Sequence, residues 1–460
     1  MKDLDKTNKI KYLLKLYEER KFLELESITL ELTKNDPNEI IYWNLLGASQ
    51  NLQQKFKEAI KSFQQTCIIS PEQKENYANL ATAYQDYGDL KNAIENFKKF
   101  LFLDPSNSQI LAKISHLYIG MRDPVKAKVY AEKALEIEKK AEFFYCLSES
   151  YSLLNDLEKA SDSLKKCLKL EPNLPIALYK FGTLFFKAQK YSDAAKAFIR
   201  SKHADWEERY IQSIYMDENF SEYKEYIKKI FNKPNTSPII QSISSHAELN
   251  FQENEEYNFC QNPMEMIVHD KVKDLIDDKK FLNQIIDDIQ NPKIVKMHQD
   301  LLHNGIQSEN RLLDYKNIES FKKLREIILE KISNYREKFL ESKCHLIKYW
   351  PEEYRLNSWY IDMKSEGFLD PHIHETGWVS GSLYLNIPKN IKGNEGNIEF
   401  SLGTPKFPKI KNELFRKNLK LSTGDIVIFP SSLFHRTIPF NSDEKRICIA
   451  FDFKSNKNYF

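Results

Sequence analysis

Long apolar runs are missing from this chain of 460 residues. Runs such as IVIF at 426–429 are far shorter than the roughly 20 apolar residues that a membrane-spanning helix needs. Residues 1–20 are charged and amphipathic, without the apolar core or the cleavage site of a signal peptide. The sequence therefore predicts a cytoplasmic protein with no membrane partner.

Cysteine is also scarce, and neither sign of charge dominates. The six cysteines are scattered without a CxxC pair, which predicts reduced core residues and not a disulfide framework. The 68 Lys and Arg residues nearly cancel the 66 Asp and Glu residues, and no basic patch with interleaved aromatics supports nucleic-acid binding. The hydrophobic fraction of 41% is enough to build the cores of two or three domains.

A repeat of 34 residues organises the first half of the chain. Residues of the same type recur at this spacing: small residues at Ala59 and Ala93, and a proline at Pro71 and Pro105. Large apolar residues recur at Leu46 and Leu80, and at Phe63 and Phe97. Small residues let two helices approach closely, large residues fill the space between them, and the proline ends the second helix. Such units stack into a superhelix with a concave surface.

This pattern, over roughly residues 6–208, resembles the tetratricopeptide repeat. The resemblance implies that the array, assigned to residues 1–208, binds a protein or peptide partner in its groove. The repeat signature fades in the next segment, 209–340, which is predicted to be a helical connector. Residues 270–290 and 321–340 there have apolar residues at helical spacing and charged opposite faces.

The character of the sequence changes to β-strand after residue 345, and we assign 341–460 to a third segment. Short runs rich in β-branched and aromatic residues are separated by turn signals, and predict strands at 355–363, 378–387, 397–402, 425–429, 435–438 and 446–453. This spacing is typical of a small antiparallel barrel or jelly roll.

Three histidines in this segment predict a mononuclear metal site. His372 and His374, two residues apart on an extended segment, project from the same face, and His435 would come from a neighbouring strand. Three protein ligands leave the other positions of a first-row metal free for substrate and dioxygen. Arg446 follows His435 by eleven positions (446 − 435) and would face the same interior, where its guanidinium suits a carboxylate.

Other interpretations of these residues stay open. Asp370 lies two residues before His372 on the same face and could replace a histidine as a ligand. The histidine pair could instead belong to a surface loop, His435 could cap a strand, and Arg446 could be an ordinary surface residue. A cupin is disfavoured, because a glutamate follows its His-x-His pair closely, whereas residues 376–379 here read TGWV.

The order of motifs resembles the 2-oxoglutarate/Fe(II) oxygenases, in the branch often fused to tetratricopeptide arrays. The matching parts are His372-x-His374, SGSLYLNIP at 380–388, GDIVIFPS at 424–431, His435 and RICIAF at 446–451. The resemblance covers roughly 355–455 and implies a double-stranded β-helix buttressed by helices. It also implies Fe(II), 2-oxoglutarate and O₂, with Tyr384 and Asn386 as further cosubstrate contacts.

The resulting prediction is a multidomain α + β protein, with an N-terminal tetratricopeptide solenoid and a C-terminal double-stranded β-helix with flanking helices. It would be a dioxygenase that hydroxylates a substrate recruited by the array. The chain has His-x-His where most of the family has His-x-Asp or His-x-Glu. Because of that departure, two alternative functions remain open. One is a non-catalytic scaffold with a degenerate oxygenase domain, and the other is a three-histidine iron dioxygenase that does not use 2-oxoglutarate.

Overall fold

The computed structural model describes residues 6–254, 256–315, 317–408 and 415–456. The chain divides into two compact units, Met1–Leu184 and Phe185–Phe460. Among the helices in the described ranges, none combines the length and apolar character needed to cross a membrane. All six cysteines, which lie within those ranges, are free thiols, as the sequence predicts.

The first unit consists of helices in antiparallel pairs. Their bounds are α1 Lys6–Glu18, α2 Phe22–Asn35, α3 Ile40–Leu52, α4 Phe56–Ile69, α5 Lys74–Tyr87, α6 Leu90–Leu103, α7 Ser108–Gly120, α8 Pro124–Ile137, α9 Ala141–Leu153, α10 Leu157–Leu170 and α11 Pro175–Lys187, the last of which continues into the second unit. The first helices of successive pairs begin at residues 40, 74, 108, 141 and 175, and are therefore 34, 34, 33 and 34 positions apart. The predicted period is that of one helix pair.

Small residues lie where the helices approach most closely. A Cβ atom added to Gly47 on α3 would come within 2.8 Å of the Phe63 ring on α4, so a larger residue here would force that ring to shift. Ala59 and Ala93, at equivalent positions of successive pairs, are fully buried. As predicted, small residues lie at the close contacts between the helices of this unit, and large apolar residues pack against them.

Replacing one of the large buried side chains with alanine should destabilise this unit strongly. Phe97 on α6 is fully buried, and Phe97→Ala should cost about 3–5 kcal/mol of unfolding free energy through lost burial and a cavity. Urea unfolding of the full chain, followed by circular dichroism, measures the shift. Phe102 on the same helix is 84% exposed, so Phe102→Ala is the matched control and should change stability by less than about 0.5 kcal/mol. Equal shifts for the two variants would contradict this packing.

The second unit begins with further helices and then forms a sheet. The helices after α11 are α12 Tyr191–Ser201, α13 Trp206–Met216, α14 Phe220–Ile230, α15 Pro238–Phe251, α16 Lys273–Asp277, α17 Lys279–Asp288, α18 Glu319–Lys338 and α19 His345–Lys348. The strands are β1 Val268–Lys271, β2 Lys296–Met297, β3 Leu302–Ser308, β4 Tyr354–His372, β5 Val379–Asn386, β6 Ile398–Ser401, β7 Arg416–Leu419, β8 Asp425–Pro430, β9 Phe434–Thr437 and β10 Arg446–Ser455.

These strands form one antiparallel sheet that curves into a half-barrel. The order is β1-β8-β5-β10-β4-β9-β6-β7, with β3 also paired to β4 and β2 paired to β3. Strand β10 lies between β4 and β5, and β9 lies between β4 and β6. Buried side chains of these strands, including Met363, Tyr384, Phe400, Phe429 and Cys448, share one apolar cluster on the inner side. The predicted antiparallel C-terminal sheet is confirmed.

The segment expected to be only helical also supplies three strands. Helices occupy 273–277, 279–288 and 319–338, but β1, β2 and β3 lie at 268–271, 296–297 and 302–308. Most residues of β1 and β3 are exposed or half-buried, so they lack the strong apolar alternation that identifies a strand. β1 adopts its extended conformation by pairing with β8, and β3 does so by pairing with β4. The residue pattern of these segments does not predict a strand.

Candidate metal and cosubstrate site

The three predicted histidines converge on the inner side of the half-barrel. His372 and His435 are directly opposite each other on the antiparallel strands β4 and β9. His374 follows two residues after the end of β4, and its backbone N–H donates to Ser431 O at 3.0 Å. The ring centroids are 4.3 Å apart for His372 and His435, 5.0 Å for His374 and His435, and 5.3 Å for His372 and His374. One ring nitrogen from each lies within 4.8 Å of the others.

Backbone acceptors orient two of the three rings. His372 Nδ1 contacts Asp370 O at 2.7 Å, and His435 Nδ1 contacts Leu433 O at 3.2 Å. Because a carbonyl oxygen only accepts, each neutral ring carries its proton on Nδ1 and has a free lone pair on Nε2. The contacts therefore present the Nε2 atoms of His372 and His435 as ligand atoms.

The surroundings of these rings also favour the neutral form that a metal needs. Burial, reinforced by the neighbouring His374, lowers the pKa of His372 to about 4. Burial and the two other histidines lower the pKa of His435 well below its usual value. Both imidazoles are therefore uncharged at neutral pH and available as donors.

Asp452 supplies a carboxylate behind the third histidine. His374 Nδ1 hydrogen-bonds to Asp452 Oδ1, which also accepts from Ser380 Oγ at 2.7 Å. Ser431 Oγ lies 2.7 Å from Ser380 Oγ and extends the network. Burial acts to raise the pKa of Asp452, but His374 and Ser380 outweigh it and hold that pKa below its usual value. A carboxylate behind a histidine fixes the ring and increases its basicity as a ligand.

Sequence reasoning missed Asp452, although a signal was present. Asp452 lies six residues after Arg446 on β10, and therefore on the same alternating face as the arginine that was predicted to point inward. A carboxylate at the end of an inward-facing row needs a partner, because an isolated buried charge is costly. The partner, His374, is 78 positions away in sequence.

Removing the charge of Asp452 should weaken metal binding without removing a ligand. Asp452→Asn keeps the shape, and should lower the affinity for Fe(II) or Co(II) by about 10- to 100-fold because the His374 ring loses its carboxylate partner. Anaerobic titration followed by absorption spectroscopy measures the affinity. Asp443 is exposed and outside the cavity, so Asp443→Asn is the control and should match the unsubstituted protein. An unchanged affinity for Asp452→Asn would exclude the supporting role.

Arg446 and Tyr384 form a second, adjoining part of the site. The Arg446 side chain is 2% exposed, and its Nε donates to Gly396 O at 2.9 Å, but no carboxylate of the described residues lies within 4.0 Å of it. Its guanidinium lies 5.0 Å from the Tyr384 ring centroid. The Tyr384 hydroxyl is buried, and it makes no hydrogen bond of normal geometry with a described residue. Burial raises the pKa of Tyr384.

Two other predicted residues lie apart from this cluster. The Asp370 carboxylate is 3.1 Å from His303 Nε2 and is not part of the group of converging ligand atoms. Asn386 Nδ2 donates to Lys445 O at 2.6 Å, and Asn386 is not among the residues that line the cavity described next. The structure thus brings together His372, His374 and His435, with Tyr384 and Arg446 beside them.

A cavity of about 1070 Å³ contains the whole cluster. The three histidines, Arg446, Tyr384 and Asp452 all line it, as do residues of 186–242 from the helical part of the second unit. Its volume is slightly above the range for small-molecule sites, about 300–1000 Å³. The cavity therefore has room for a chelating dicarboxylate and for a larger second molecule.

Comparisons with known families find two matches in the chain. The family described as "Putative 2OG-Fe(II) oxygenase" matches residues 357–452, which include every ligand candidate and Arg446. The tetratricopeptide repeat family matches residues 75–107, 108–140 and 141–174. The predicted resemblance to both families is confirmed.

Individual relatives match only parts of the chain. The BBSome complex member BBS4 homolog of Drosophila melanogaster is 26% identical over 147 residues, or 32% of this chain and 30% of that protein. Heat shock protein STI1 of Saccharomyces cerevisiae is 33% identical over 87 residues, or 19% of this chain and 14% of that protein. The chain thus spans less than a third of the length of these curated relatives.

Solved structures show similar partial likeness. The C-terminal part of a TPR repeat-containing protein from Cytophaga hutchinsonii is 16% identical, covers 48% of this chain and 93% of its own, and has a TM-score of 0.41. The MamA protein is 20% identical, covers 35% of this chain and 89% of its own, and has a TM-score of 0.32. The family matches thus find, in one chain, three tetratricopeptide repeats and a domain that matches the family described as "Putative 2OG-Fe(II) oxygenase".

Proposed function

We propose that the chain is a 2-oxoglutarate- and Fe(II)-dependent dioxygenase that hydroxylates a substrate recruited by its tetratricopeptide array. The observation that carries this proposal is the convergence of three histidines beside a buried arginine that has no carboxylate partner among the described residues. The half-barrel would correspond to the double-stranded β-helix of the family. The family match over 357–452 supports the assignment.

The residues present fit the proposed metal and cosubstrate. Imidazole nitrogens are suitable ligands for Fe(II), and the Asp452 carboxylate behind His374 provides negative charge that a carboxylate ligand would otherwise supply. A buried guanidinium that has no carboxylate partner among the described residues is costly unless an anion reaches it, and a dicarboxylate extending from the metal would do so. Bound Fe(II), 2-oxoglutarate and O₂ would supply the oxidation of C–H to C–OH, with succinate and CO₂ as the coproducts.

Side chains of the protein would bind the cosubstrate, orient a metal ligand and exclude water. Arg446 would hold the far carboxylate of the cosubstrate, and the Tyr384 hydroxyl would donate a second hydrogen bond to it. His374, held by Asp452, would keep its ligand nitrogen directed at the metal. Apolar side chains of the inner wall, such as Phe400 and Phe429, limit access of water to the histidines.

The array would contribute recognition. Tetratricopeptide repeats generally mediate interactions between proteins, so the repeats at 75–174 are suited to bind a protein or peptide partner. We propose that this partner is the substrate or its carrier, and that binding occurs in the concave groove of the array. A cytoplasmic location is part of the same proposal.

An anaerobic binding experiment tests the proposed function. Fe(II) and 2-oxoglutarate are added together to the purified full chain, and a visible metal-to-ligand charge-transfer band is expected. Oxygen is then admitted, and slow conversion of 2-oxoglutarate to succinate is measured in the absence of substrate. If the protein retains no iron and produces no band, the enzyme assignment fails and the scaffold alternative remains.

A further inference from the structure

We propose, on the basis of the function proposed above, that the cavity accepts an acidic segment of polypeptide as the substrate. The inference depends on the part of the cavity that lies outside the metal and cosubstrate groups. That part has an excess of positive charge, accessible amide side chains and an aromatic wall. Each of these features is established by the described residues alone.

The charged side chains of this outer part are mainly cationic. Apart from Arg446, Asp452 and the histidines, the charged residues lining the cavity are Lys187, Lys406, Arg436 and Glu375. Neither lysine has an ion-pair partner among the described residues. Arg436 shares one carboxylate, Glu399, with Arg416, at 2.7 Å in each case, so this group of three retains a positive charge.

The one acidic side chain in this outer part is already held in an ion pair. Glu375 accepts a two-pronged contact from Arg209 on α13, with Nη1–Oε1 at 3.0 Å and Nη2–Oε2 at 2.6 Å. Arg209 is also 2.9 Å from Asp205, so it links its own helix to the residue that follows His374. Because Arg209 is shared by two carboxylates, this group of three retains one negative charge, against one positive charge each from Lys187, Lys406 and the Arg436 group. A carboxylate on the substrate would therefore meet a lining that is cationic in sum.

The remaining polar lining suits a peptide main chain. Gln189, Gln299 and Gln307 line the cavity, and because Gln189 is exposed and the other two are half-buried, their side-chain amides are accessible to a ligand. An amide offers both a donor and an acceptor, as a peptide group does, so these side chains can pair with an extended backbone. A polyanion such as a nucleic acid would need more phosphate-binding cations than the three found here.

Aromatic side chains complete the wall. Phe186, Tyr191, Trp359 and Phe434 line the same cavity, and would contact apolar side chains next to the acidic ones. Phe434 also packs against Phe407 at 5.4 Å between ring centroids, which holds the loop that carries Lys406. The inferred substrate is thus a peptide segment that has Asp or Glu beside apolar residues.

Binding of labelled peptides tests this inference on the full chain under anaerobic conditions with Fe(II) and 2-oxoglutarate. The probes are fluorescein-labelled peptides of equal length and shared apolar residues, in which the variable positions are all Glu, all Gln or all Lys. Fluorescence anisotropy should show the Glu peptide binding about tenfold more tightly than the Gln peptide, since two or three partly exposed pairs together supply about 1.4 kcal/mol. The Lys peptide should bind most weakly.

A double variant locates the preference in the cavity. Lys187→Gln with Lys406→Gln should abolish the preference for Glu over Gln, whereas Lys343→Gln, an exposed lysine outside the cavity, should leave it unchanged. A preference that survives the double variant would place acidic binding elsewhere and overturn the inference. Free glutamate binding as tightly as the Glu peptide would overturn its polypeptide part.

The charge-transfer band, recorded on the same samples, separates this inference from the proposed function. A band without any preference for acidic peptides would overturn the substrate inference and leave the dioxygenase assignment standing. Acidic preference that depends on Lys187 and Lys406, but without a band, would support an acidic peptide site and overturn the dioxygenase assignment.

Discussion

His435→Ala should abolish the charge-transfer band and leave the chain unable to retain Fe(II). The substitution removes one of three converging ligand nitrogens, so affinity should fall by more than the roughly 10- to 100-fold expected for an outer partner such as Asp452. Iron content after gel filtration and anaerobic titration with Fe(II) measure the loss. Circular dichroism on the same sample shows whether the fold persists.

Two controls make this result specific. His303 is partly exposed and pairs with Asp370 outside the ligand group, so His303→Ala should retain iron. Asp370→Asn should also retain iron, which distinguishes the three-histidine site from the alternative that uses Asp370. If Asp370→Asn lost iron and His374→Ala kept it, the ligand set would have to be revised.

Arg446→Lys should separate cosubstrate binding from metal binding. Lysine keeps the positive charge, but lacks the planar fork that holds a carboxylate through two hydrogen bonds. Loss of one or two charged hydrogen bonds, at about 1.5–3 kcal/mol each, should weaken 2-oxoglutarate binding by about 100-fold. Titration of the charge-transfer band with 2-oxoglutarate measures this affinity.

Iron binding by the same variant is the internal control, because all three histidines remain. Arg311→Lys, at an exposed arginine, should not change either affinity. If Arg446→Lys bound 2-oxoglutarate normally, the arginine would have another role, and an iron dioxygenase that does not use this cosubstrate would become the better description.

The candidate ligands and Arg446 could be picked out from the sequence because each belongs to a short local motif. His372 and His374 are two residues apart, so strand geometry relates them, whereas His435 on β9 and Arg446 on β10 are separated by β4 in the sheet. The pairing of His372 with His435 across β4 and β9 then brings the two local motifs together. Asn386 shows the limit of the same reasoning: it lies on the strand of Tyr384, but its side chain bonds to Lys445 O outside the cavity lining.

The partners of the supporting residues could not be predicted in this way. Asp452 meets His374 across 78 positions and Arg209 meets Glu375 across 166, and no periodic pattern links residues so far apart. The strands at 268–271 and 302–308 were not predicted either, because strands with exposed faces have little apolar alternation in their sequence. Contacts of this kind depend on which strand pairs with which, and that is a property of the whole sheet.

The sequence by itself determined the 34-residue helix pairs, the antiparallel character of the C-terminal segment and the residue types of the candidate metal site. Each of these follows from residue spacing and side-chain chemistry within a short stretch of chain. Only the tertiary structure decided that Asp452 stands behind His374, that Arg446 has no carboxylate partner in the described chain, and that the outer cavity is cationic. Burial and pairing between distant segments set these features, because they fix which charges are neutralised and which remain free to bind a ligand.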